Sequence, residues 1–162
     1  MKAFLLVSWV MMSFGVAVGG ETMTVYIGTY TGRGSEGIYR AELDLKTGQL
    51  QLKGVTKGIE NPSFLAIHPS GKFLYSVSEV EVQGGKKTGG VSALAIDAES
   101  RELTLLNQQE SGGSGPCHLT VDATGQVVLV ANYGAGSVAS LPIEADGRVK
   151  PTASVVQHQG KS

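Results

Sequence analysis

From Thr24 onward the chain is a succession of short apolar runs with polar residues alternating through them, and no stretch carries the period of a helix of ordinary length. The pattern predicts strands over residues 25–30, 38–45, 50–56, 64–68, 73–78 and 91–96, continuing over 103–108, 118–121, 127–132, 137–143 and 149–157. Turn residues punctuate these runs throughout. The 23 glycines among 162 residues are roughly twice ordinary usage and fall between the runs rather than in one block. An all-β protein follows, as a sandwich, a barrel or a repeat architecture.

Internal repetition decides among these. Residues 61–77, Asn-Pro-Ser-Phe-Leu-Ala-Ile-His-Pro-Ser-Gly-Lys-Phe-Leu-Tyr-Ser-Val, recur as residues 115–131, Gly-Pro-Cys-His-Leu-Thr-Val-Asp-Ala-Thr-Gly-Gln-Val-Val-Leu-Val-Ala, at a constant offset of 54. Residues 37–44 map onto 90–97 at an offset of 53, and residues 137–144 are a third copy at 47, because the loop 83–89 has no counterpart there. Each copy reads as strand, tight turn, strand, loop, strand, acidic turn, strand, which is one four-stranded propeller blade. The chain holds about three such blades where closed propellers use roughly four to eight. The expectation is therefore a part of a larger ring, with a short chain that oligomerises as the alternative.

Ahead of the repeats, Lys2 precedes an apolar stretch from Ala3 to Val18 that is interrupted by Ser8, Ser13 and Gly15 and ends in small residues. The stretch is shorter than a bilayer span of about 20 residues and reads as a cleavable signal peptide over residues 1–20, with the propeller domain over 21–162. An uncleaved anchor or a misassigned start are the competing readings. Export to the periplasm or medium follows from the first, with no membrane association after cleavage; without a signal the protein would be cytoplasmic. The formal net charge of −1 and the lack of a basic cluster interleaved with aromatics argue against nucleic acid as a partner. Cys117 is the only cysteine, so no intrachain disulfide forms.

Several motifs dissolve in context. Residues 32–37 fit G-x-G-x-x-G, but a β-type run follows where a dinucleotide loop must open a helix. The Gly84-Gly85-Lys86-Lys87-Thr88 stretch lacks phosphate-loop spacing, and His68, His118 and His158 are too isolated to argue a metal site. No G-x-S-x-G elbow occurs. More informative are the places where copies differ, because a propeller gathers equivalent strand ends around one channel mouth. His118 stands where the preceding copy has Phe64, and imidazole can act as base or donor near neutral pH, or serve as a structural bond to a neighbouring blade. Glu79 corresponds to Tyr133 after Asn132, and the first copy has Thr29-Tyr30 at a comparable strand end.

Residues 25–31 (Val-Tyr-Ile-Gly-Thr-Tyr-Thr), Asn61-Pro62-Ser63-Phe64-Leu65, Gly115-Pro116-Cys117-His118 and residues 130–134 (Val-Ala-Asn-Tyr-Gly), in this order and at blade spacing, resemble the 6-phosphogluconolactonase-type lactonase family of seven-bladed propellers. The resemblance implies hydrolysis of a sugar lactone, with 6-phosphogluconolactone the leading substrate, and no cofactor. The family also includes muconate-lactonising enzymes. A Gly-Pro-His-x-His-type segment, with acidic and Arg residues that the family carries in later blades, does not occur here, so the isolated chain is expected to be inactive. On this reading His118 and Glu79 are the candidate catalytic groups and Asn132 and Tyr133 candidate substrate-binding residues. A phosphorylated cytoplasmic metabolite sits awkwardly with export, which favours an unphosphorylated lactone. A non-enzymatic propeller that binds a ligand or a protein is the competing class.

Overall fold

The computed structural model describes residues 21–32 and 34–160, so the expected signal segment lies outside the described residues. Among the described residues eleven strands form three antiparallel sheets. The first holds β1 (Thr22–Ile27), β2 (Ile38–Asp44) and β3 (Leu50–Thr56). The second holds β4 (Leu65–Ile67), β5 (Phe73–Ser78), β6 (Gly90–Ile96) and β7 (Leu103–Glu110). In the third, β8 (Pro116–Val121), β9 (Val127–Asn132), β10 (Ser137–Pro142) and β11 (Ser154–Gln157) follow the same order. Every neighbour in a sheet is its neighbour in sequence, the up-and-down order that the repeat arithmetic predicts. The first sheet departs from four strands: β1 takes the place of β5 and β9, and among the described residues nothing stands where β4 and β8 do.

The second sheet is covered on both faces, which explains why β5 and β6 read as nearly unbroken buried runs. One face turns Leu74 and Leu94 toward Ile38 and Ile59 of the first sheet's side, with Tyr26, Leu65, Ile96 and Leu103 around them. The alternate residues Tyr75, Val77, Val91 and Ala93 pack against Leu119, Val128, Val130, Ala139 and Leu141 of the third sheet. The outermost strands β3 and β11 are largely exposed.

The same polar bond repeats at both sheet interfaces. Tyr26 Oη on β1 donates to Arg101 O in the β6–β7 turn at 2.7 Å, and its equivalent Tyr75 on β5 donates to Gly147 O in the β10–β11 turn at 3.0 Å. Burial, and secondarily Asp146, pushes the Tyr75 phenol up to about 12, so it remains a donor at all ordinary pH. Asn107 extends the second interface, its amide bonding both Val149 O (2.7 Å) and Val149 N (3.1 Å) as another strand's peptide would. Arg101 occupies this turn at φ 61, in the left-handed region where the equivalent turns place Gly48 and Gly147.

The turns themselves are tied by aspartates. Backbone amides of Thr47 and Lys46 hold the Asp44 carboxyl below its usual range, those of Ser100 and Glu99, with the Ser100 hydroxyl, do so at Asp97, and Arg148 does so at Asp146. Asp122, bonded first by the Thr124 hydroxyl and then by the Val127, Thr124 and Gln126 amides, falls to about 2.

Three outcomes follow for thermal melts. Tyr75→Phe leaves Gly147 O without its donor and should lower stability by about 1–2 kcal/mol, whereas Arg101→Gly relieves the left-handed backbone and should raise it by roughly 0.5–1 kcal/mol. Carboxylates whose folded pKa is depressed stabilise above their unfolded value near 4 and lose that contribution as pH falls through the folded value. The melting temperature should therefore decline from about pH 4 down toward the Asp122 value of about 2, less steeply in Asp122→Asn; a temperature unchanged to pH 2 would contradict the assignment.

Candidate functional site

The C-terminal ends of β1, β5 and β9 and the N-terminal ends of β2, β6 and β10 all lie at one end of the sheets, because successive antiparallel pairs share the same register. The inter-sheet connections enter at this end too, through Asn61-Pro62-Ser63 ahead of β4 and Gly115-Pro116-Cys117 at the start of β8. All four stretches that carried the family resemblance meet here. Backbones approach closely: a Cβ on Gly28 would stand 2.3 Å from Pro62 O, and one on Gly89 2.2 Å from the Pro116 ring. Thr29 N donates to Pro62 O (3.1 Å), Gly89 N to Gly113 O (2.9 Å) and Gly115 N to Val80 O (3.0 Å), so each sheet's rim is stitched to the next.

Glu79, at the end of β5, is half-buried within this rim. Its carboxylate accepts a hydrogen bond from Ser63 Oγ. The Tyr30 phenol, on the first sheet's side and 59% exposed, lies beside that carboxylate, whose proximity is the main cause that pushes the Tyr30 pKa up and keeps the phenol protonated. The Cys117 thiol donates instead to Ala131 O at 3.8 Å. One carboxylate, one phenol and one hydroxyl thus meet from two sheets and the connection between them. Glu81, two residues on, lays its carboxylate over Gly115 and Gly134, where a Cβ on Gly134 would meet Glu81 Oε1 at 2.8 Å and Ser114 Oγ at 3.0 Å.

The other predicted residues fare differently. Tyr133 lies on the rim and is 84% exposed; its main chain is bonded, N to Gly115 O at 2.8 Å and O from Gly136 N at 3.2 Å, while its side chain makes no hydrogen bond among the described residues. Asn132, expected as a hydrogen-bonding rim residue, is instead 1% exposed: its Nδ2 donates to Ser111 O (3.1 Å) and Ser137 Oγ (3.3 Å), and its Oδ1 is buried without a protein partner. The strand alternation puts it inside the sheet, one residue short of the exposed Tyr133. His118 is exposed, its ring tilted against Phe64 with centroids 4.2 Å apart. It lines an open, largely apolar hollow of ≈ 340 Å³ with Thr120, Leu129, Val138 and Val156 on the outer face of the third sheet. No hydrogen bond or ion pair joins His118 to Glu79 among the described residues.

Sequence reasoning passed over Ser63, Glu81 and Asn61. The signal for Ser63 was present: it and Cys117 are equivalent residues of two copies, immediately before the Phe64/His118 position, where the copies differ. Among the described residues no three His, Cys, Asp or Glu side chains stand close enough together to hold a metal ion.

The family model described as a lactonase, seven-bladed β-propeller, matches residues 24–162. A 6-phosphogluconolactonase of Bacillus subtilis is 41% identical over 136 residues, covering 84% of this chain and 38% of the relative. One from Formosa agariphila is 33% identical over 127 residues, covering 78% of this chain and 35% of the relative. The solved structure of a periplasmic gluconolactonase from Pseudomonas aeruginosa superposes with a TM-score of 0.76 at 32% identity, over 86% of this chain and 39% of that one. The chain thus spans little more than a third of the length of the proteins it matches.

Proposed function

The chain belongs to the lactonase family of seven-bladed propellers, and from that premise we propose that the intact protein hydrolyses a sugar lactone to its open acid at the rim that Glu79 occupies. The observation that carries this reading is the carboxylate of Glu79, held by the Ser63 hydroxyl beside the Tyr30 phenol of the neighbouring sheet, with its neighbourhood open to solvent. An ester carbonyl needs a base to deprotonate the attacking water and a donor to settle the charge that develops on oxygen. Glu79 supplies the base. Water adds to the lactone carbonyl as its proton passes to Glu79; the ring C–O bond then breaks, and the departing alkoxide takes that proton back from Glu79, leaving the hydroxy acid and the free carboxylate. Ser63 and Tyr30 orient the base, and both carry O–H groups that the substrate's oxygens can engage.

The rim also suits a polyol. The exposed ring of Tyr133 offers an apolar face for the C–H side of a sugar, and Glu81 adds a second acceptor for hydroxyl groups. His118 lies on the inner strand of the third sheet, facing outward from the described sheets, and is the candidate to act on a substrate reaching across to that side. The two 6-phosphogluconolactonase relatives favour the phosphorylated lactone; the periplasmic gluconolactonase, together with the signal-like residues 1–20, favours export and an unphosphorylated one. No cofactor is required by this chemistry.

Turnover of D-glucono-δ-lactone and its 6-phosphate by the intact protein, followed by acid release, tests the reading. Glu79→Gln should lower kcat by about 10²–10⁴-fold, the ordinary worth of a general base, and His118→Ala should lower it by less. Undiminished kcat in both variants would remove both residues from the mechanism, and no turnover of either lactone would favour a binding scaffold.

A further inference from the structure

Asn61 is placed in the connection between the first and second sheets at φ 43, a left-handed backbone for which the equivalent residue of the next copy is Gly115 at φ 58. Glycine adopts this conformation without strain, so an asparagine here needs a use for its side chain. It has one. Asn61 Oδ1 accepts from Thr31 N (2.9 Å) and Thr31 Oγ1 (3.2 Å), and Nδ2 donates to Glu79 O (3.2 Å). Its main chain adds to the same knot: Asn61 N donates to Thr31 Oγ1 (3.2 Å), while Asn61 O accepts from Glu79 N (3.0 Å) and Ser63 N (2.7 Å). One residue therefore holds both peptide groups of Glu79, the amide of Ser63 and the residue after Tyr30.

We propose that Asn61 is a positioning residue for the lactone hydrolysis proposed above: it locks the end of β5 to the Tyr30–Thr31 loop of the neighbouring sheet, so that the Glu79 carboxylate meets Ser63 and Tyr30 in a single orientation. The inference rests on that functional reading. The repeat contains its own comparison. Where Gly115 replaces Asn61, only main-chain bonds remain, and Tyr133, equivalent to Glu79, projects freely from the rim. The Tyr26 bond and the Gly28–Pro62 approach fix the height of the two sheets as bodies; the three side-chain bonds of Asn61 fix the ends that project beyond them, tying the Tyr30–Thr31 loop to the end of β5. A base displaced by about 1 Å loses on the order of 10²-fold in rate.

The test is a double-substitution cycle in the intact protein, with whichever of the two lactones it hydrolyses. Asn61→Gly keeps the left-handed backbone and deletes the side chain; kcat should fall about 10- to 100-fold with little change in KM. In a Glu79→Gln background the same substitution should cost less than about twofold, because the group it positions is already disabled. Thr31→Val, which breaks the knot from the other side, should show the same dependence on Glu79, and it serves if Asn61→Gly does not fold. Losses that multiply independently of Glu79 in either variant would make the residue merely structural and overturn the proposal. Absence of lactone turnover, or full kcat in Glu79→Gln alone, would instead remove the functional reading, and this inference with it.

Discussion

A tyrosine hydroxyl reaching from the second strand of one sheet to a turn carbonyl of the next is the constraint on which the arrangement depends. Apolar faces attract one another without specifying height or rotation, since the hydrophobic effect has no direction. The bonds from Tyr26 to Arg101 O and from Tyr75 to Gly147 O supply that specification at one end of the sheets. Being the same bond made by equivalent residues, it gives successive sheets the same relation and turns a sequence repeat into a spatial one. In the third copy the equivalent residue is Leu129, 48% exposed on the outer face, where no further sheet is described.

At the opposite end the tolerance is tighter. Gly28 lies against the Pro62 carbonyl and Gly89 against the Pro116 ring, leaving no room for a side chain at either glycine. The two ends together fix each sheet as a lever fixed at two points. What the rim gains is that residues far apart in sequence are brought together: Tyr30 and Glu79 come from different sheets and Ser63 from the connection between them. None of these is unusual alone. Their convergence concentrates donors around a carboxylate that stays accessible to solvent.

The copies diverge where chemistry is concerned and agree where packing is. Tyr26 and Tyr75, the apolar alternation and the aspartate-tied turns persist, while the strand-end position changes from Tyr30 to Glu79 to Tyr133 and the position before it from Thr29 to Ser78 to Asn132. That second position is buried at Ser78 and Asn132 and half-buried at Thr29. Asn132 accordingly spends its amide on Ser111 and Ser137 rather than on a ligand.

Strand number, strand order, the antiparallel four-stranded unit and the family were all legible in the sequence, because a period-2 apolar pattern and a repeat near 54 residues are local properties that survive without knowledge of contacts. Glu79 and Tyr133 were legible as rim residues for the same reason, through comparison of equivalent strand ends. The neighbours of Glu79 were not: Ser63, which bonds it, and Tyr30, which lies beside it, are 16 and 49 residues away, and no pattern within one copy predicts which residues of two sheets will meet. Nor could spacing separate the buried Asn132 from the exposed Tyr133, which depends on how the strand end turns over the sheet. The sequence by itself determined the repeating unit; the tertiary structure alone decided which of its polar residues face each other, since that depends on the height and rotation at which whole sheets dock.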